Sequence, residues 1–149
     1  MRNVLLVIHV LSVIVWLGAG IGATYIGSRL MAAGGNVALS WLRVSESMGS
    51  RVYGPASGLT LLSGIGLVLV GDAYSFGSLF VILGMTVWVA VAIASGAYGA
   101  RQEKKLLKAT EESDEPTRRE TMGALNRYVA AEFILLVAVV IAMIYRWGA

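Results

Sequence analysis

VLLVIHVLSVIVWLGAGIGATYI, residues Val4–Ile26, is a run of 23 residues without Asp, Glu, Lys or Arg. At about 1.5 Å per residue it makes a helix of about 35 Å, enough to cross a hydrocarbon core of about 30 Å. Three further runs read the same way, over about 52–70, 79–100 and 128–145. The whole chain agrees with them. Hydrophobic residues make up 57% of its 149 positions and charged residues 14%, against about 45–50% and about 25% in an average soluble domain. A chain so short and so apolar cannot hide its surface in a water-soluble core, so a bilayer is its expected solvent. The expectation is one all-α membrane domain over 1–149, a polytopic four-transmembrane-helix up-down bundle.

Lys and Arg set the expected orientation. Arg29, Arg43 and Arg51 lie between spans 1 and 2, and Arg101, Lys104, Lys105, Lys108, Arg118, Arg119 and Arg127 between spans 3 and 4. That is ten on one side, against Arg2 and Arg146 on the other. The positive-inside rule then puts both long connections in the cytoplasm and both termini and the Asp72 loop outside. The net charge of +3 reflects this flanking and comes without aromatic interleaving, so nucleic acid is not expected as a partner. The first run is too long for the apolar core of a typical signal peptide.

The connections have structure of their own. Val37, Trp41, Val44 and Met48 recur at helical spacing, predicting an amphipathic cytoplasmic helix that lies on the membrane surface between helices 1 and 2. Pro55 then suits the first turn of span 2. Between spans 3 and 4, Glu111–Pro116 turns a solvated helical hairpin whose charges nearly cancel. Gly18-x-x-x-Gly22, Gly54-x-x-x-Gly58 and Gly96 are expected to pack helix on helix. Tyr74, Phe76 and Trp147 fit an interfacial belt, and Asp72 a turn.

Polar residues ride on the spans. His9, Ser12, Trp16, Ala19 and Ala23 form one stripe of helix 1; Met85, Trp88, Ala92, Ser95 and Gly99 form another on helix 3. Glu132, Leu136, Val139 and Met143 share a face of helix 4. An ionisable side chain inside a span is a functional candidate by default. His9, Met85 and Met143 are expected at similar depth, with Trp16 beneath them. Imidazole with thioethers is a ligand set for copper(I), and His9 is equally a candidate haem ligand. The alternative is that His9 bonds a backbone carbonyl or Ser hydroxyl while the methionines fill space. Glu132 is separated from His9 by about 15 Å of depth at about 1.5 Å per residue, so it marks a second site, with Arg51 and Arg127 as expected neighbours. With one His and no Cys in the chain, thiolate chemistry is excluded. No nucleophile–base pair or phosphate-binding loop is visible.

The run His9-Val10-Leu11-Ser12-Val13-Ile14-Val15-Trp16-Leu17-Gly18 resembles a recurring first helix of small bacterial membrane proteins, in which a His is followed seven residues later by Trp and then Gly. It looks like the copper resistance protein D group and a related four-span integral membrane protein family of unknown function. The likeness extends to the span order, to Arg51-x-x-Gly54-Pro55 and to the closing Met143-Ile144-Tyr145-Arg146. It implies a multi-pass protein of the bacterial inner (plasma) membrane that binds haem b or copper near the outer surface through His9. More distantly, the chain is similar to the four-span haem-containing protoporphyrinogen oxidase, which implies a haem ligand at His9 and a haem-dependent oxidoreductase. That family carries a Pro-Arg pair soon after helix 1, whereas Arg29 has no Pro before it. A reading from a different class is an accessory subunit without a cofactor, binding lipid, a second copy or a membrane partner protein.

Overall fold

The structure is a computed structural model and describes residues 1–71 and 75–145. The expectations for Asp72, Tyr74, Arg146 and Trp147 lie outside the described residues. Within them the chain is all-helical: α1 (Arg2–Ala33), α2 (Gly35–Met48), α3 (Gly54–Val70), α4 (Leu79–Ala94), α5 (Ala100–Glu111) and α6 (Glu115–Ile144). Single π turns, Gly49–Tyr53 and Ser95–Gly99, weld α2 to α3 and α4 to α5. The result is four rods, each long and apolar enough to cross a membrane. In lipid, helices satisfy their own backbone groups, which is why uniformly apolar sequence winds this way whatever its propensity in water. The molecule is a multi-pass membrane helical bundle.

The rods pair. α1 packs most closely against the α2–α3 rod, and α6 against the α4–α5 rod. Sequential rods are neighbours, as the up-down arrangement requires. α3 and α4 meet through larger side chains, the Trp88 indole N–H donating to the Ser57 carbonyl at 3.0 Å. Two apolar clusters fill the membrane part, one around Trp16, Ala56 and Val91, the other around Phe80, Val81 and Ala142. A third, Met31, Ala38, Leu42 and Leu106, lies at the charged end, where α1, α2, α5 and α6 meet.

The amphipathic segment between spans 1 and 2 is present, but it does not lie free on a surface. It continues α3 without a break and buries Ala38 and Leu42 against α1 and α5. The expected stripe stands one position aside: Val37 and Val44 stay exposed. Pro55 occupies the first turn of α3, as expected. Having no N–H, and a ring that opposes the carbonyl four residues earlier, it follows a π turn in which Gly54 N–H reaches back to Gly49 O. The hairpin between spans 3 and 4 is solvated on its outer face only, since Leu106, Ala109 and Thr121 are buried.

The ends are specified locally. α1 stops at Gly34, whose φ of +69° suits a residue without a Cβ. Arg118 Nη1 donates to the Met31 carbonyl at 3.3 Å, placing a cation at the negative end of α1. Asp114 caps α6 by accepting the Thr117 N–H at 3.2 Å, and Pro116 occupies the first turn.

The glycines of the two GxxxG motifs do not serve as expected. Gly18, Gly20, Gly22, Gly58 and Gly96 have no atom within 4 Å of where a Cβ would stand. Close approach is made elsewhere. A Cβ on Gly27 would stand 2.6 Å from the Trp41 indole nitrogen, one on Gly84 2.8 Å from the Met143 methyl, and one on Gly64 3.2 Å from the His9 ring.

Candidate functional site

His9 projects from α1 toward α3, where Gly64 leaves room for the ring. Its Nδ1 lies 3.0 Å from the Thr60 carbonyl and 3.2 Å from the Ser63 hydroxyl. A carbonyl can only accept, so Nδ1 carries a proton, and in the neutral form of the ring the lone pair is on Nε2. Ser63 in turn donates to the Leu59 carbonyl. The Thr60 carbonyl lies within α3 and also accepts from the Ser63 hydroxyl at 3.2 Å, while the Thr60 hydroxyl donates to Ala56 O at 2.9 Å. Nδ1 donating to a backbone carbonyl with Nε2 free is the arrangement that metal-ligating imidazoles adopt. It is equally the helix-to-helix hydrogen bond of a packing role.

His9 lines a cavity of about 60 Å³ between the two helix pairs. Trp16 of α1, Thr60 of α3, Gly84 and Trp88 of α4, and Leu136 and Met143 of α6 close it, and the rest of its wall is apolar. Met143 reaches in because Gly84 opposes its methyl group. Of the expected cofactor set, His9, Trp16 and Met143 therefore share one space. Met85 does not join them. It is 38% exposed and absent from the cavity wall, because α4 turns Phe80, Gly84, Val87 and Val91 inward. Of the expected α4 stripe, Trp88 lines the cavity and Gly99 is buried, whereas Ala92 and Ser95 are exposed along with Met85. Ser12 is buried on the same helix as His9.

The cavity tests the two expected groups by size. At about 30 Å³ per water it holds one or two water-sized occupants, so a single ion fits and a porphyrin inside this bundle does not. Among the described residues no group of three His, Cys, Asp or Glu is placed to hold a metal. Among the lining residues, His9 and Met143 are the ones whose side chains carry soft or borderline metal donors, an imidazole nitrogen and a thioether.

Glu132 belongs to a separate polar site nearer the charged end. Neither Arg51 nor Arg127 pairs with it: the ion pairs among the described residues join Lys105, Lys108, Arg118 and Arg119 to acids of the α5–α6 hairpin. Its neighbours are tyrosines. It lies beside the Tyr128 hydroxyl and within electrostatic reach of Tyr53. The Tyr128 and Ser95 hydroxyls are 2.7 Å apart, and the Tyr98 and Tyr128 rings meet tilted at 54°, with centroids 5.5 Å apart. Tyr53, in the first π turn, donates to the Ala19 carbonyl at 2.9 Å. Sequence reasoning did not find Thr60, Ser63, Tyr53 or Tyr128. The one available signal was the spacing of Thr60 and Ser63, which puts two hydroxyls on one face of an apolar helix.

Comparison with family models, with curated proteins and with solved structures finds no match for this chain.

Proposed function

We propose that this protein is a multi-pass protein of the bacterial inner membrane that holds a single copper(I) ion inside its four-helix bundle, between His9 Nε2 and the Met143 thioether. The observation that carries the reading is the tethering of Nδ1 to the Thr60 carbonyl, which leaves Nε2 as the ring nitrogen available to a metal on a residue that shares a cavity with Met143. A soft thioether and an imidazole suit copper(I), and the cavity has the size of an ion and not of a porphyrin. The ten-to-two division of Lys and Arg supports both termini outside and the long connections in the cytoplasm. The resemblance of the His9–Gly18 run to the copper resistance protein D group points the same way.

A second reading is favoured by the same tether. Nδ1 bonded to both Thr60 and Ser63 joins α1 to α3, which suits an accessory membrane subunit in which His9 only locks helices together. Competition with a copper(I) chelator under reducing conditions separates the two. The purified protein is expected to take up one equivalent, and His9→Ala and Met143→Leu each to lose it. Copper retained by both variants, or never bound, would leave the packing role.

A further inference from the structure

His9 and Met143 reach the cavity from different helix pairs. His9 belongs to α1, which packs on α3, and Met143 to α6, which packs on α4. Each is met by a glycine of the helix it packs against: Gly64 faces the His9 ring and Gly84 the Met143 methyl. The two glycines differ in how much they leave to spare. Gly84 makes the closer approach, and it also forms part of the cavity wall.

Distance decides what a side chain at position 84 would do. A Cβ there would stand 2.8 Å from the Met143 methyl and 3.7 Å from Val139 Cγ1, whereas carbon atoms rest at about 3.5–4.0 Å. The methyl must then move by about 1 Å. It is the tip of a flexible side chain, so it yields without parting the helices. The sulfur cannot stay indifferent. Rotation about the Cγ–Sδ bond swings the methyl away and re-aims the sulfur lone pairs with it. Rotation about an earlier bond moves the sulfur itself. Metal–ligand distances tolerate about 0.2 Å, so a displacement that is small for the fold is several times too large for a ligand.

We infer that Gly84 is a positioning residue of the metal site: by carrying no Cβ it seats the Met143 methyl against α4 and so fixes where the thioether sulfur points. The inference rests on the copper reading of the cavity and adds to it a residue that itself offers no donor.

Two measurements test it, the first without copper. In nuclear magnetic resonance of the detergent-solubilised protein with isotope-labelled methionine methyl groups, the Met143 signal is assigned by its loss in Met143→Leu. It should show a nuclear Overhauser contact to the Gly84 Hα in the wild type. In Gly84→Ala it should shift while the signals of Met31, Met85 and Met122 stay in place. The second is copper(I) loading, read by chelator competition and by X-ray absorption at the copper edge. Gly84→Ala is expected to lose at least about tenfold in affinity, the scale for residues that orient a ligand, and to lose sulfur scattering while nitrogen scattering remains. Gly66→Ala serves as the packing control, since its Cβ would press on Leu5 at 3.2 Å and neither residue lines the cavity; it should leave affinity and both scatterers unchanged. Absence of the contact in the wild type would overturn the inference. So would Gly84→Ala with wild-type affinity and sulfur scattering, or an equal loss in Gly66→Ala. A wild type that shows the contact but binds no copper would overturn the copper reading itself, and the metal role of Gly84 with it.

Discussion

Gly27→Ala tests the packing of α1 against α2 at its tightest point. The new methyl would stand 2.6, 2.9 and 3.0 Å from three atoms of the Trp41 indole, whereas carbon atoms rest at about 3.5–4.0 Å. The overlap is about 1 Å along one whole edge of a rigid ring, so the ring must move as a unit. It packs against the cluster of Met31, Ala38, Leu42 and Leu106, and shifting it disturbs all four. Overpacking of this kind costs about 1–3 kcal/mol. Ala in place of a mid-helix Gly returns about 0.5–1 kcal/mol. The expected net loss is about 1–2 kcal/mol. In a Trp41→Leu background the clash is gone and the same substitution becomes stabilising by up to about 1 kcal/mol. Unfolding in mixed micelles of dodecyl maltoside and dodecyl sulfate, followed by circular dichroism, measures all four corners of the cycle. A Gly27→Ala effect of the same sign and size in both backgrounds would refute the close approach.

Thr121 is 1% exposed and its hydroxyl has no hydrogen-bond partner among the described residues; since such a buried group carries a penalty of about 1–3 kcal/mol, Thr121→Val is expected to raise stability in the same assay, and a loss would show that the hydroxyl is satisfied. Hydrogen bonds from the Thr117 side chain and backbone hold the Asp114 carboxyl below its ordinary range. Its contribution is therefore full above the unfolded value and disappears as pH falls through the lower folded one. Asp114→Ala should destabilise the start of α6 at neutral pH and no longer in strong acid, read by hydrogen exchange of the Thr117–Thr121 amides; an equal difference at both pH values would contradict the cap.

The candidate site shows where reading the sequence stops. His9 was conspicuous as the single imidazole in an apolar run, and its periodicity with Trp16 held because both lie on the α1 face that meets α3. Met85 looked equivalent to Met143 by depth, yet only Met143 reaches the cavity. Nothing along α4 distinguishes its faces: Leu79–Ala94 is apolar all round, so no polar stripe on one side marks the other as inward. Glu132 was visible as a carboxylate in a span. Its tyrosine neighbours were not, since Tyr53 and Tyr128 are brought together from positions 75 residues apart.

Four spans and the charge division between the two sides of the bundle are properties of local composition, although the helices run well past the apolar stretches at the charged end, the fourth rod beginning at Glu115 and not near residue 128. Transfer into lipid depends on each segment's own surface, so the sequence determines them without reference to neighbours. Which face of each rod turns inward is another matter. Lipid is as apolar as leucine, so helices choose partners by shape and by hydrogen bonds. Gly27 against Trp41, Gly84 against Met143, and His9 against Thr60 are matches between distant positions. The Gly18–Gly22 motif, which no other helix approaches closely, has the same local signature as a packed one. Only the tertiary structure separated them, because shape complementarity is a property of two surfaces together.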